Sequence, residues 1–129
     1  MSNYAFAKTL PDVPPWQAER RVVAALAEEG FGIISDVDVQ GILNKKLGAG
    51  LRPYKILGAC NPQLAHRALQ AEPQIGLLLP CNVVVEEHAG GTRIAIADPK
   101  AMFELVDNAS VQPIAADAEQ RLRRVLDKL

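Results

Sequence analysis

Two Cys-Asn pairs are the residues of this 129-residue chain whose types and spacing could do chemistry. They are Cys60-Asn61 and Cys81-Asn82, and each follows an apolar run and stands beside a proline. Asn61 followed by Pro62 is a strong helix-start signal, since asparagine caps a helix and proline suits its first position. A thiol just before a helix start tends to ionise more easily, so Cys60 is a candidate nucleophile.

A basic segment surrounds the first of these pairs. Between Asp38 and Glu72 there is no acidic residue, and five basic ones fall there: Lys45, Lys46, Arg52, Lys55 and Arg67. A helix N-terminus offers free amide hydrogens and the positive end of its dipole to an anion. We therefore predict a small-molecule or anion site formed by Lys55, Cys60, Asn61, Cys81 and Asn82. The alternative is that the cysteines are packed in the interior and the lysines are solvated.

Other kinds of site have weaker support. The 20 residues between Cys60 and Cys81 match neither a redox pair nor a two-pair zinc pattern, although a metal site including His66 stays open. The G-A-G at 48–50 lacks the lysine and threonine of a phosphate loop, so no cofactor is predicted. Tyr54 is the one aromatic residue in the basic segment, which argues against nucleic-acid binding.

The carboxylates suggest no acid-base pair. Asp36 and Asp38 are predicted to cap a helix, and Glu86 and Glu87 to be surface charges at the end of a strand.

Length and composition predict one soluble domain. The chain has 14 Lys and Arg against 15 Asp and Glu, so its total charge implies no polyanion partner. The longest apolar run, 75–79, is too short to span a bilayer, and residues 1–10 lack the apolar segment of a secretory signal. Two cysteines suit a reducing compartment, so we predict a cytoplasmic protein with no membrane partner.

Periodicity and helix-start signals predict alternating strands and helices. The predicted strands are Tyr4–Leu10, Phe31–Val37, Tyr54–Ala59, Gln74–Leu79, Cys81–His88 and Thr92–Ala97. The predicted helices follow caps at Asp12, Asp38, Asn61 and Asp98, and a last helix follows the loop Asp107–Pro113. No linker or repeat interrupts residues 1–129, which predicts a single domain.

This order predicts an α+β fold, in which a mixed, largely antiparallel sheet forms one layer and helices pack on one face. Leu77, Leu78 and Leu79 would be apolar on both faces of their strand, whereas two layers cover only one. Either helices lie on both faces or a homodimer buries the second face, because large exposed apolar patches usually mark contacts.

Four segments resemble the signature segments of the domain of unknown function 302 family. They are G-F-G-I-I-S-D-V-D-V at 30–39, K-I-L-G-A-C-N-P at 55–62, L-L-P-C-N-V-V-V at 78–85 and D-P-K-A-M at 98–102. The resemblance implies a small bacterial or archaeal α/β domain, often found alone, dimeric and without an established activity. In the family the valine run is often followed by tyrosine, where this chain has Glu86.

Three functions are consistent with these observations. The first is a homodimeric module that binds a small molecule or an anion near Cys60, Asn61 and Cys81. The second is a thiol-dependent redox enzyme or sulfur carrier that uses Cys60, with Lys55 and the helix start favouring the thiolate. The third is a structural interaction module.

Overall fold

The computed structural model describes residues 3–129, which form one sheet and a layer of helices. The strands are β1 (Ala5–Leu10), β2 (Gly32–Asp38), β3 (Tyr54–Cys60), β4 (Cys81–His88) and β5 (Gly91–Ala97). The α-helices are α1 (Pro15–Glu28), α2 (Val39–Leu47), α3 (Pro62–Ala71), α4 (Pro99–Phe103) and α5 (Gln112–Asp127). Short 3₁₀ helices span Pro73–Leu78 and Ala109–Val111.

The sheet is open and antiparallel at each of its four strand pairings. Its strand order is β1-β5-β4-β3-β2. Strands β2 to β5 are therefore neighbours in the order of the chain, and β1 returns to pair with β5, so that Ala5 lies opposite Ala97. The prediction of an α+β, two-layer, largely antiparallel fold is confirmed.

One face of the sheet, the core face, is covered by helices. Alternate residues of the central strands, such as Val83 and Ile94, are fully buried, as period-2 side-chain geometry requires. The core beneath α1, α3 and α5 is completed by buried residues of those helices: Ala18, Val22, Leu26, Leu64, Ala68, Ala118, Leu122 and Val125.

The opposite face, which we call the open face, is arranged in three rows that cross the strands. The middle, apolar row consists of mutually paired residues on all five strands: Ala7, Ala95, Val84, Ile56 and Val37. A charged row lies on one side of it: Thr9, Arg93, Glu86 and Tyr54. A row of small and polar residues lies on the other: Ala5, Ala97, Asn82, Gly58 and Ser35. The members of the apolar row are half-buried or, for Val37, 39% exposed.

The predicted strand Gln74–Leu79 is wrong, because residues 74–78 belong to the 3₁₀ helix Pro73–Leu78 and Leu79 is its C-cap. Prolines stand at both ends of the apolar run, and neither can donate a hydrogen bond to a sheet. Ile75 is buried while Leu77 is 86% exposed, so the run has one buried side rather than two. The apolar surface that a second copy of the chain could cover therefore lies on the open face and not on this segment.

Of the five predicted helix caps, three are confirmed. The side chains of Asp38, Asn61 and Asp98 accept hydrogen bonds from backbone amides in the first turns of α2, α3 and α4. The prediction for Asp36 is wrong, because this residue lies within β2 and its carboxylate accepts a hydrogen bond from Lys55.

Asp12 is not a cap, because Pro14 holds the N-cap position of α1. Asp12 instead has a φ of 63° in the turn that joins β1 to α1, a conformation that aspartate tolerates better than most residues.

Candidate functional site

The antiparallel pairing of β3 and β4 brings both cysteines to one end of the sheet. Ala59 is the partner of Cys81 in this pairing, and Cys60 is the next residue along β3. Both cysteines are free and half-buried, and both line a cavity of about 30 Å³ together with Asn61. That volume holds a water molecule or two, so the cavity alone is too small for a metabolite.

Cys81 lies in surroundings that keep its thiol protonated. Burial, and to a smaller degree the charge of the neighbouring Cys60, raise the pKa of Cys81 to about 11. A thiolate is penalised there because the apolar surroundings solvate a charge poorly. At neutral pH, Cys81 therefore behaves as a packed, neutral side chain.

Asn61 is held in the interior by its role as a helix cap. Its side chain accepts a hydrogen bond from the amide of Leu64 at 3.2 Å and donates one to the carbonyl oxygen of Glu29 at 3.4 Å. Asn61 is 8% exposed, and the amide of Ala65 is bonded to its carbonyl oxygen. Most amide groups in the first turn of α3 therefore already donate hydrogen bonds to other atoms of the chain.

Lys55 lies at the other end of β3. It lies five positions before Cys60, which is roughly 16 Å along an extended strand. Its ammonium donates to Asp36 at 2.9 Å and forms a 3.0 Å ion pair with Glu19. Burial alone would lower the pKa of Lys55, but the hydrogen bonds to Asp36 and Glu19 outweigh it and raise the pKa. Of the predicted site residues, Lys55 is therefore the one that the fold places away from the cysteines.

A second cavity, which we call the strand-end cleft, adjoins the cavity at the cysteines. The cleft measures about 170 Å³. Five residues line both spaces: Leu79, Pro80, Cys81, Pro99 and Phe103. Its lining is completed by five more residues: the exposed Leu77, Leu78, Asn82, Ala97 and Met102. The predicted residues Cys81 and Asn82 thus stand on one wall of a mostly apolar cleft at the edge of the open face.

Gly58 allows Pro80 to form this wall. A Cβ atom at Gly58 would collide with the hydroxyl of Ser35 and would lie 2.6 Å from the Cγ atom of Pro80. Atoms that are not bonded do not approach so closely, so only glycine leaves room for the proline ring over β3.

The prediction that Glu86 is a surface charge is wrong. The residue is 5% exposed and belongs to the charged row of the open face. Its carboxylate binds Arg93 at 2.8 Å through one oxygen and pairs with Arg52 through the other. Burial would raise the pKa of Glu86, but the hydrogen bonds from Arg93 and Arg52 outweigh it and lower the pKa.

Sequence reasoning missed this cluster because Arg52 lies 34 positions before Glu86, and Arg93, seven positions after it, meets it only across the pairing of β4 with β5. The signal that could have found it is the pairing of β4 with β5 through the hairpin at 89–90, which places Arg93 directly opposite Glu86. The cluster holds two guanidinium groups and one carboxylate, so it carries one net positive charge.

Residues 3–129 contain no group of three or more histidine, cysteine, aspartate or glutamate side chains placed to hold a metal ion. His66 is exposed on α3 and His88 is half-buried at the end of β4. Within the same residues, every helix falls short of the length and apolar character needed to cross a membrane.

The fold and the site define a class: a single-layer antiparallel sheet, helices on one face, and a small cysteine-lined cleft at the strand ends. Residues 6–129 match the family described as Domain of unknown function DUF302, and the chain belongs to that family. It is similar to the crystal structure of an uncharacterized conserved DUF302 protein from Bacillus stearothermophilus, with 30% identity and a TM-score of 0.90 over 98% of each chain. No curated protein is significantly similar to it.

Proposed function

We propose that this chain is a homodimeric binding module that holds a small anionic molecule in the strand-end cleft, next to Cys60, Asn61, Cys81 and Asn82. The observation that carries the proposal is the meeting of two cavities at Cys81, with five lining residues in common. Concave, mostly apolar spaces with a few polar groups at the edge are the usual form of ligand sites.

The size and lining of the cleft favour a short ligand with an apolar body. Ligand sites typically measure about 300–1,000 Å³, and the cleft is smaller. Leu79, Pro99 and Phe103 offer apolar contacts, while the exposed Asn82 offers hydrogen bonds at the mouth. A short-chain carboxylate combines these two chemistries.

The open face supports the homodimer. Its apolar row crosses five strands, and the exposed Leu77 adds an apolar side chain in the wall of the cleft. A contiguous apolar patch of this kind usually marks a contact surface. Light scattering at micromolar concentration is expected to give twice the chain mass of 13.9 kDa.

Thermal unfolding with butyrate and hexanoate as probes tests the site. Either carboxylate at millimolar concentration should raise the melting temperature, because a ligand that prefers the native state stabilises it by mass action. Ala97→Phe fills the cleft and should abolish the increase, whereas Ala49→Phe, in an exposed loop, should keep it.

Butylamine has the same chain length with the opposite charge and should have no effect. An increase that is equal in Ala97→Phe and Ala49→Phe, or no increase with either carboxylate, would contradict the proposed site.

A second candidate function is thiol chemistry through Cys60. The raised pKa of Cys81 makes that residue a poor nucleophile, which leaves Cys60, half-buried directly before α3, as the candidate. If Cys60→Ser leaves the cellular function of the protein intact, this second function is excluded.

A further inference from the structure

The outer edge of β1 presents unpaired backbone groups. β1 stands at one end of the strand order, so it pairs with β5 alone. The amide of Asp98 donates to the carbonyl oxygen of Tyr4 at 2.8 Å, one position before the pair of Ala5 with Ala97. Hydrogen-bonded and non-hydrogen-bonded pairs alternate along antiparallel strands. The amide and carbonyl groups of Ala5, Ala7 and Thr9 therefore point away from β5, and no backbone partner meets them within residues 3–129.

A groove of about 430 Å³, which we call the β1 groove, runs along this edge. It is lined by the five consecutive residues 5–9 together with Arg93 and Arg123. Successive side chains of a strand point to opposite faces, so a single space that touches all five residues lies along the edge of the strand. The guanidinium of Arg123 lies 4.7 Å from the centre of the Phe6 ring on the helix side of this edge, and Arg93 lies on the open-face side.

The charged residues that line the β1 groove are all basic. They are Lys8, Arg93 and Arg123. Two carboxylates pair with them from outside the lining, Glu119 with Arg123 and Glu86 with Arg93, but Glu86 is shared with Arg52. Lys8 donates to the carbonyl oxygens of residues 126 and 129. Basic groups are thus in excess beside the groove, which favours an anionic occupant.

From these observations we propose that an extended, acidic segment of a partner protein binds in the β1 groove and adds a sixth strand to the five-stranded sheet. Backbone hydrogen bonds to Ala5, Ala7 and Thr9 supply the affinity, as in other complexes formed by strand addition. Carboxylates of the segment pair with Arg93 and Arg123 on either side of the edge. A second copy of this chain is disfavoured as the occupant, because it brings the same basic side chains together.

The other edge strand, β2, is less suited to strand addition. Its register shifts between Ile33 and Ser35, which marks a β-bulge, and it carries the carboxylates of Asp36 and Asp38. Bulges and charged side chains are the usual means by which proteins keep an edge from pairing. The register of β1 is unbroken over its six residues, so β1 is the edge open to a partner.

Fluorescence polarisation with a labelled hexapeptide of alternating glutamate and valine tests the proposal, since its length matches β1. The peptide should bind, whereas a peptide of alternating lysine and valine should not. Three N-methyl groups on alternate residues leave one edge of the peptide free and should preserve binding. Three N-methyl groups on consecutive residues interrupt both edges and should raise the Kd at least about tenfold, the effect of losing one or two hydrogen bonds.

Variants of the protein test the charges and separate this groove from the strand-end cleft. Arg123→Gln should raise the Kd of the glutamate peptide about two- to fivefold, the range for an exposed ion pair. Arg20→Gln, exposed on α1, is the matched control and should leave the Kd unchanged. Ala97→Phe, which fills the strand-end cleft, should also leave it unchanged, so the two proposed sites can fail independently.

Tighter binding of the alternately methylated peptide than of the consecutively methylated one supports strand addition at β1. The proposal is overturned if the glutamate peptide does not bind, if the two methylated peptides have equal Kd values, or if the lysine peptide binds as tightly. Conversion of a dimer of this chain to monomers by the glutamate peptide would show that a second copy occupies the edge, which also overturns the proposal.

Discussion

Cys60 and Cys81 are close neighbours at one end of the sheet, yet the two are placed differently. Cys81 shares the core-facing side of β4 with the fully buried Val83. Cys60 is the last residue of β3 and directly precedes the cap of α3. Because a thiolate and not a thiol reacts with electrophiles, this difference in surroundings can be measured as a difference in the rate of labelling.

We predict that iodoacetamide labels Cys81 slowly in the folded protein. With its pKa at about 11, roughly one Cys81 thiol in a thousand is ionised at pH 8. Mass spectrometry of Cys60→Ala should show a labelling rate for Cys81 that keeps rising up to pH 10. Urea-unfolded Cys60→Ala is the control, since its Cys81 should then react at the rate of an exposed thiol. A plateau below pH 9 in the folded protein would contradict the prediction.

Single residues could be predicted from the sequence where the signal was local. Asn61 was identified as a helix cap because proline follows it directly. Glu86 is buried because Arg52 and Arg93 bind its carboxylate, and these contacts form only when the strands pair. Its position near a turn in the sequence instead predicts an exposed charge. Lys55 is predicted to belong to the site because it lies near Cys60 in the sequence. In the extended strand β3, however, the two residues lie at opposite ends.

The strand β3 shows how an element can be shaped by one small residue. Gly58 lies in the interior of the strand, where glycine normally weakens a sheet. It is buried beneath Pro80, so the missing side chain is what lets the cleft wall approach the sheet. Gly32, in the edge strand β2, has open space where a Cβ atom would be.

Gly58→Ala is expected to lower the free energy of unfolding by about 1–3 kcal/mol, the usual cost of forcing an extra carbon into a packed region. Gly32→Ala is the matched control, and its effect should be close to zero or slightly stabilising. Urea unfolding followed by circular dichroism measures both. Equal effects of the two substitutions would show that Pro80 moves away at no cost.

The segment 73–78 shows where element prediction failed. A short apolar run between prolines fits a buried strand and a buried helical turn equally well, because its length and composition do not distinguish them. The strands β4 and β5 were predicted correctly because alternation and the turn at 89–90 supported each other.

Across the whole molecule, a cluster of charges joins the end of α1 to the end of α5. The carboxylate of Glu29 accepts hydrogen bonds from Arg124 at 2.8 Å and from Lys128 at 2.9 Å. The hydrogen bonds from Arg124, and then those from Lys128, lower the pKa of Glu29 to about 2. Glu29 lies more than 90 positions from Arg124 and Lys128 in the sequence. The cluster therefore forms a long-range contact between α1 and α5, the two longest helices.

The stabilisation from Glu29 should depend on pH. A carboxylate whose pKa is lower in the folded than in the unfolded chain stabilises the fold fully above about pH 4.5, and this contribution is lost as the pH falls toward 2. Glu29→Gln should therefore unfold at lower urea concentration than the wild type at pH 7, with the gap closing by pH 2. Glu104→Gln, exposed elsewhere, should show no gap at either pH. A gap that persists at pH 2 would show that Glu29 acts through packing instead.

The strand order has a consequence for the sequence of folding events. Strands β2 to β5 pair with neighbours in the chain, and contacts of short sequence separation form with little loss of loop entropy. β1 instead pairs with β5 across most of the chain, and Lys8 bonds to the carbonyl oxygens of Leu126 and Leu129 at the far end of α5. We therefore expect the four-strand meander to assemble first and β1 to dock last. Until it docks, the open edge of β5 is the part of the nascent protein most exposed to pairing with other chains.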